Sequence, residues 1–259
     1  MEKGERELIA QFYNIRNQGW IKTHRHGDQM LGNTFEDLIG KVEDNLSEAD
    51  WKGIEIKTHR NATSSMVSLF SKSPSHPKGA NSYLREKYGV VDPSHGLKVL
   101  NTTIRGDYAN THRGGHSFKL EVDRFNEKIY LIVRDTYTNN VIDNNIYWDF
   151  SVIKNALDKK IRKIAVMYGD EMIKDYSNYV KFTDMVLIEG LTLDKMIEAL
   201  ENGDLKLDIR IGVYNSGKKY GKTHDHGSAF RINLNKLLDY GKRLNVGDIL
   251  KTIKDFKLI

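Results

Sequence analysis

Between Asp204 and Ile211 apolar and charged residues alternate without a break. Leu205, Leu207, Ile209 and Ile211 fall on one side of an extended chain, and Asp204, Lys206, Asp208 and Arg210 on the other. Side chains of a strand point to opposite faces in turn, so the segment predicts a strand with one face in a core and the other wholly charged. Such a strand needs sheet partners and an apolar layer behind it. A chain of 259 residues, 39% of them hydrophobic, supplies both, as one large domain or two small ones.

The other patterns fit that frame. Leu8, Ile9, Phe12 and Ile15 share one helical face, which predicts a helix over Glu5 to Ile15. A loop from Asn17 to Asn33 leads to Thr34, with Asp37 three residues on, a spacing like a capping box that sets a helix start at Thr34. Phe35, Leu38, Ile39, Val42 and Leu46 would form its apolar face. Gly53 to Lys57 and Met66 to Ser71 have strand character and are expected to lie side by side. Lys72 to Gly115, which holds all three prolines, reads as a long loop-rich region. A hairpin over Phe118–Val122 and Ile129–Val133, a helix near 150–160, an apolar strand Ile164–Met167 and a helix near 193–202 follow. Beyond the alternating strand come another strand, Ala229 to Leu234, and helices over Asn235 to Arg243 and Val246 to Phe256. The order implies an α/β or α+β fold with a central mixed sheet flanked by helices.

No stretch approaches the roughly 18 apolar residues of a membrane span, and the N-terminus lacks a signal peptide's apolar run, so a cytoplasmic location is expected. With no cysteine, disulfides, thiolate metal sites and cysteine nucleophiles are excluded, and a metal must be held by oxygen or imidazole. That favours a hard cation such as Mg²⁺. Forty Lys and Arg against 35 Asp and Glu give a net charge of +5. The distribution says more than the sum: acids crowd Glu36 to Asp50, while cations and amides fill Thr58 to Lys87, Arg105 to His116 and Lys218 to Arg231. Such segregation suits a cation in one place and phosphates in another.

Hydrolysis of a phosphodiester needs charge neutralisation, an activated water and a cation near the developing charge. Glu55 and Lys57, two apart in a strand, share a face while Ile54 and Ile56 anchor the other, and Asp50 lies just upstream. Asp50 and Glu55 are the candidate metal ligands. The pair alone is not distinctive, because an acid two residues before a lysine recurs at Asp158/Lys160, Asp204/Lys206 and Asp255/Lys257. The first and last sit in helical patterns; Asp204/Lys206, with Glu201 upstream, is the serious competitor, as a solvated sheet face or a DNA-facing strand. Glu36 is either a solvated helix carboxylate or a further active-site group.

A second concentrated segment runs from Ser216 to Arg231. Lys218, Lys219, Lys222, His224, His226 and Arg231 are interleaved with glycines, as in a cationic loop that approaches a phosphate backbone and offers donors to base edges. His224 and His226, flanking Asp225, also match two ligands of a metal site, and that alternative stays open. His59 and Arg60, just past the lysine of the strand, are further candidates for contact with DNA.

These blocks carry a family resemblance. Gly32 to Leu46, Gly53 to His59, Leu69 to Pro74, Lys78 to Asn81, Ile142 to Asn144 with Tyr147-Trp148, Asp208 to Gly212, Ser216 to Lys219, Gly221 to Gly227 and Phe230 to Asn233 resemble, in order, the MvaI/BcnI family of restriction endonucleases. The resemblance implies a PD-(D/E)xK fold related to the mismatch-repair nuclease MutH. It implies a catalytic subdomain, about residues 1–90 with parts of 118–170, and a DNA-recognition subdomain, about residues 171–259, clasping double-stranded DNA. Asp50, Glu55 and Lys57 fall on the catalytic motif, with Ala49 where the motif label has proline, and Glu36 on a helix that supplies another active-site carboxylate. Arg210, His224, His226 and Arg231 fall where the family contacts bases. A monomer that needs Mg²⁺ and cuts CC-N-GG sites, CCWGG foremost, one strand after the other is implied. So is a cognate DNA methyltransferase as a genetic rather than physical partner. The competing readings are a MutH-like nicking enzyme of repair and a DNA-binding protein without activity.

Overall fold

The computed structural model describes residues 1–40, 49–61, 65–225, 228–244 and 246. In chain order the elements are α1 (Lys3–Asn17), β1 (Ile21–Thr23), α2 (Met30–Leu38), β2 (Glu55–Arg60), β3 (Met66–Ser71), α3 (Ala80–Tyr88), β4 (Val90–Val91), β5 (Lys98–Ile104), β6 (His116–Asp123) and β7 (Lys128–Asp135). They continue as β8 (Val141–Asp149), α4 (Phe150–Lys160), β9 (Lys163–Lys174), β10 (Ser177–Glu189), α5 (Leu193–Glu201), β11 (Leu205–Val213), β12 (Thr223–Asp225), β13 (Ala229–Asn233), α6 (Leu234–Tyr240) and β14 (Lys242–Leu244). Among the described residues no helix is long and apolar enough to cross a membrane.

The chain forms two compact units: Met1–Val67 with Asp158–Leu191 and Leu237–Ile259, and Ser68–Leu157 with Thr192–Lys236. The boundaries expected from the sequence differ: residues 68–90 and 118–157 belong to the second unit and 171–191 to the first. Strands pair here with partners far away in the chain, so a division into consecutive stretches separates strands that share a sheet.

In the first unit a mixed sheet has the order β1-β10-β9-β2, with β14 also on β10. Strand β9 runs antiparallel to β10 and parallel to β2, placing Glu55 opposite Ile164 and Lys57 opposite Val166. Ile164, Ala165, Val166 and Met167 are all fully buried, which is why that strand reads as an apolar run and not as an alternation. Helix α1 buries Leu8, Ile9, Phe12 and Ile15 as its spacing predicts. Phe35 of α2 meets the edge of Phe182 at 5.2 Å.

Helix α2 corrects the expected start at Thr34. It begins at Met30, and Thr34, one turn inside, donates its hydroxyl to Met30 O at 2.7 Å. A buried threonine can bond back along the helix as well as cap it, and here its Oγ1 also meets Thr23 Oγ1 at 2.8 Å. Asp37 is no capping partner; it binds Arg25 through two bonds of 2.7 and 2.9 Å. The helix ends at Leu38, and Gly40 follows at φ +73°. Val42 and Leu46, expected on its apolar face, lie outside the described residues, as does the helix expected beyond Val246.

The second unit holds a six-stranded sheet, order β3-β13-β11-β5-β4 with β12 also on β11, and a three-stranded sheet β6-β7-β8. The alternating segment is β11, between β13 and β5, and its four aliphatic residues are buried as predicted. Strands β2 and β3 are not neighbours: β2 pairs with β9, and β3 joins β13, where Phe70 stacks on Phe230 at 5.0 Å. The region read as loop contains α3, β4 and β5. Helix α3 buries Ala80, Leu84 and Tyr88, and Asp143 of β8 accepts from the hydroxyls of Tyr83 and Tyr88, each at 2.6 Å.

Candidate active site

The local chain path explains how residues five apart in sequence become neighbours. Trp51 and Ile54 exchange backbone hydrogen bonds of 2.9 and 2.7 Å around Lys52 and Gly53, whose φ angles are +43° and +84°. Two consecutive positive φ angles make the tight hairpin turn that glycine favours at its second position. The turn folds Asp50 back alongside β2, where its Oδ2 accepts from Ile56 N at 2.9 Å. Helix α1 fastens the turn: Trp51 Nε1 donates to Gly4 O at 3.1 Å, and Lys52 pairs with Glu7.

Glu55 opens β2 at the edge of the mixed sheet and is only 3% exposed. Lys57, on the same face, donates from Nζ to Glu55 Oε1 at 2.5 Å. The second oxygen, Oε2, is buried and has no hydrogen-bond partner among the described residues. Burial pushes the Glu55 carboxyl above its ordinary value, the Asp50 charge adds to that rise, and the cations Lys57 and Lys160 oppose it. Lys160 was not a candidate on sequence; it stood in one of the competing Asp-x-Lys pairs. Its place at the end of α4, next to the start of β9, brings its charge to bear on Glu55.

Two carboxylates with an unsatisfied buried oxygen fit a hard divalent cation that keeps open positions for phosphate and water. Among the described residues no group of three or more ligand side chains forms a closed metal cage. Glu36 lies on α2, one turn beyond Gly32, and a Cβ at Gly32 would come within 3.2 Å of Thr58 Oγ1. The helix face that carries Glu36 thus rests on β2.

The other predicted residues make contacts of their own. His59 stacks obliquely on Tyr168 at 5.8 Å, and its Nε2 meets Ser65 O at 3.2 Å. Arg60 is bound by Glu171, Nε to Oε2 at 2.6 Å. In the second unit, Asp208 of β11 is buried and accepts from Thr103 Oγ1 at 2.7 Å, Arg210 at 2.7 Å and Arg231 at 2.9 Å. One carboxylate therefore sets two guanidinium groups that stay 42% and 32% exposed. The alternation singled out Arg210 but hid the role of Asp208, which looked like one more solvated charge. Asp204 of the rival pair binds Lys236 at 3.6 Å. Asp255 and Lys257 lie outside the described residues.

His224, on β12, stacks on Tyr214 at 4.4 Å and 17°, and Lys219 Nζ stands 5.1 Å from the same ring. Helix α3 braces this hairpin: Asn81 donates to Asp225, Ser82 meets Thr223 at 2.9 Å, and Arg85 donates to Gly221 O at 3.1 Å. Lys218 and Lys222 are exposed on it. His226 lies outside the described residues.

The mixed sheet that carries Glu55 and Lys57 belongs to a restriction-endonuclease-like fold of the PD-(D/E)xK class. The model of the MvaI/BcnI restriction endonuclease family matches residues 9–239, and the chain belongs to that family of type II site-specific nucleases. Among solved structures it is similar to a complex of the restriction endonuclease MvaI with cognate DNA substrate, at 42% identity and a TM-score of 0.87, over 95% of this chain and 99% of that one. MvaI in the absence of DNA matches at 42% identity and a TM-score of 0.65, over 94% and 98%. Comparison with curated protein sequences gave no match.

Proposed function

We propose that this enzyme cuts both strands of duplex DNA at a short pseudopalindromic site of the CC-N-GG type, CCWGG foremost, with Mg²⁺ held by Asp50 and Glu55. It does so in the cytoplasm as a monomer, nicking one strand and then the other, with a cognate methyltransferase as its genetic counterpart. The observation that carries the reading is Glu55: a buried carboxylate with one oxygen on Lys57 and the other without a hydrogen-bond partner among the described residues. A bound divalent ion supplies charge neutralisation at the scissile phosphate and a lower pKa for the attacking water.

The chain's own residues do the rest. Asp50 is fixed by the Ile56 amide, so its carboxylate is already oriented before a substrate arrives. Lys57 opposes the rise that burial forces on the Glu55 carboxyl and places an ammonium where negative charge develops on the phosphate. Glu36 adds a carboxylate from α2. Arg210 and Arg231, aimed by Asp208, suit the paired acceptors of guanine. His224, His226, His59 and Lys218, Lys219 and Lys222 add contacts to bases and backbone.

A time course on supercoiled plasmid with Mg²⁺ tests the reading. Nicked circles that convert to discrete linear fragments without added factors are expected. Nicked circles that persist would favour the repair-type nickase, and DNA bound but never cut under any divalent metal would favour a protein without activity.

A further inference from the structure

We infer that Arg60 and Glu171 form a clamp that positions helix α2, and with it Glu36, over strand β2, and that Arg60 is a positioning residue and not a contact to DNA. The inference rests on the reading of Glu36 as an active-site carboxylate.

Helix α2 starts without a cap of its own, since Gln29 makes no side-chain bond to the first turn. The free amides of a helix start need an acceptor, and an anionic one also suits the helix dipole. Glu171 of β9 provides it from 140 residues away, its Oε1 accepting from Leu31 N at 3.2 Å. The other oxygen binds Arg60 Nε at 2.6 Å, so one carboxylate joins the end of β2 to the start of α2. Arg60 also donates through one terminal nitrogen to Gly27 O at 3.3 Å and Asp28 O at 3.0 Å, holding the loop that leads into the helix. Its other terminal nitrogen lies 3.6 Å from Asp28 Oδ1. The guanidinium thus gives Nε and one terminal nitrogen to protein acceptors, and the other terminal nitrogen faces a carboxylate.

The remaining contacts of α2 leave it one seat. At its far end Asp37 is tied to Arg25. On its inner face Gly169, opposite Arg60 in β9, leaves room for Leu31: a Cβ there would come within 2.8 Å of Leu31 Cδ1. A helix held at both ends and pressed on glycines sets the place of every side chain it carries. Loss of the clamp lets Glu36 shift while the DNA-contacting residues stay where they are.

The test compares single-turnover cleavage with DNA affinity measured without metal over a range of salt, for Arg60→Ala, Glu171→Ala and Glu36→Gln. The clamp predicts cleavage slowed by roughly 10- to 100-fold in both alanine variants, as for small misplacements of catalytic groups. It also predicts metal-free affinity within about two-fold of wild type and an unchanged salt slope, because no phosphate contact is lost. A salt slope flattened by about one in Arg60→Ala, with Glu171→Ala cutting normally, would overturn it. Should the alanine variants unfold, Arg60→Lys and Glu171→Gln are measured in the same way. A lysine keeps the charge but not the fork, so wild-type cleavage by Arg60→Lys would also overturn the clamp. Glu36→Gln separates the two claims: wild-type cleavage there sinks the role of Glu36, whereas a slow Glu36→Gln beside fast Arg60 and Glu171 variants sinks the clamp alone.

Discussion

Lys57 Nζ donates to Glu55 Oε1 at 2.5 Å, while Glu55 Oε2 is buried without a hydrogen-bond partner among the described residues. A carboxylate held in this way is half satisfied: the lysine counters part of the rise that burial causes, and the other oxygen is open to a cation. Replacing Lys57 with alanine should leave DNA binding near wild type and slow cleavage by about 10²- to 10⁴-fold, the usual worth of a placed cation or proton-transfer group. A binding assay beside a single-turnover rate separates the two effects.

Burial raises the Glu55 carboxyl above its ordinary value, and this fixes a pH dependence of the metal-free protein. The folded state keeps a proton that the unfolded state has released, so stability falls as pH rises from the ordinary carboxylate range through the folded value. Glu55→Gln should lack that part of the slope. Added Mg²⁺ should raise the melting temperature of the wild type, by about 1.4 kcal/mol of stability at ten times the dissociation constant, and should do little for the glutamine variant. Melting curves across pH 4 to 9, with and without the ion, check both.

Asp208 binds Arg210 and Arg231 at once. Asp208→Ala should cost roughly 1–3 kcal/mol, less than for a fully buried pair because both arginines keep water. It should also relax sequence choice, since the guanidinium groups lose their common anchor. Cleavage of substrates with single-base changes in the site measures this; unchanged discrimination would count against Asp208 as the aligning group.

Gly169→Ala tests the seat of α2. The new Cβ would stand 2.7 Å from Lys181 O and 2.8 Å from Leu31 Cδ1, so strand or helix must move. An overpacking cost of about 1–3 kcal/mol is expected, together with slower cleavage at unaltered metal-free affinity.

What the sequence showed depended on distance along the chain. The period-two spacing of Glu55 and Lys57 and the alternation of β11 are local, and both were legible. Asp50 reaches β2 only through the turn at Lys52 and Gly53, and Glu171 reaches α2 only through the pairing of β9, so neither bond has a signature in spacing. Strand β10 was missed because a bulge between Phe182 and Asp184 shifts its phase, and Met185 to Ile188 beyond it are buried as a run. Helix α3 was missed for its brevity: nine residues in a region rich in turn signals. Thr34 misled because a hydroxyl that bonds back inside a helix and one that caps it use the same residue type.

The central claim is that Glu55 and Lys57 serve a metal-dependent cut at one short DNA sequence. Sequencing the ends of DNA digested by the wild-type enzyme with Mg²⁺, beside Lys57→Ala, tests it most directly. The account predicts ends that all fall within a CC-N-GG sequence in the wild-type digest and intact DNA with the variant. Ends with no common sequence, or cutting by Lys57→Ala at the wild-type rate, would contradict it.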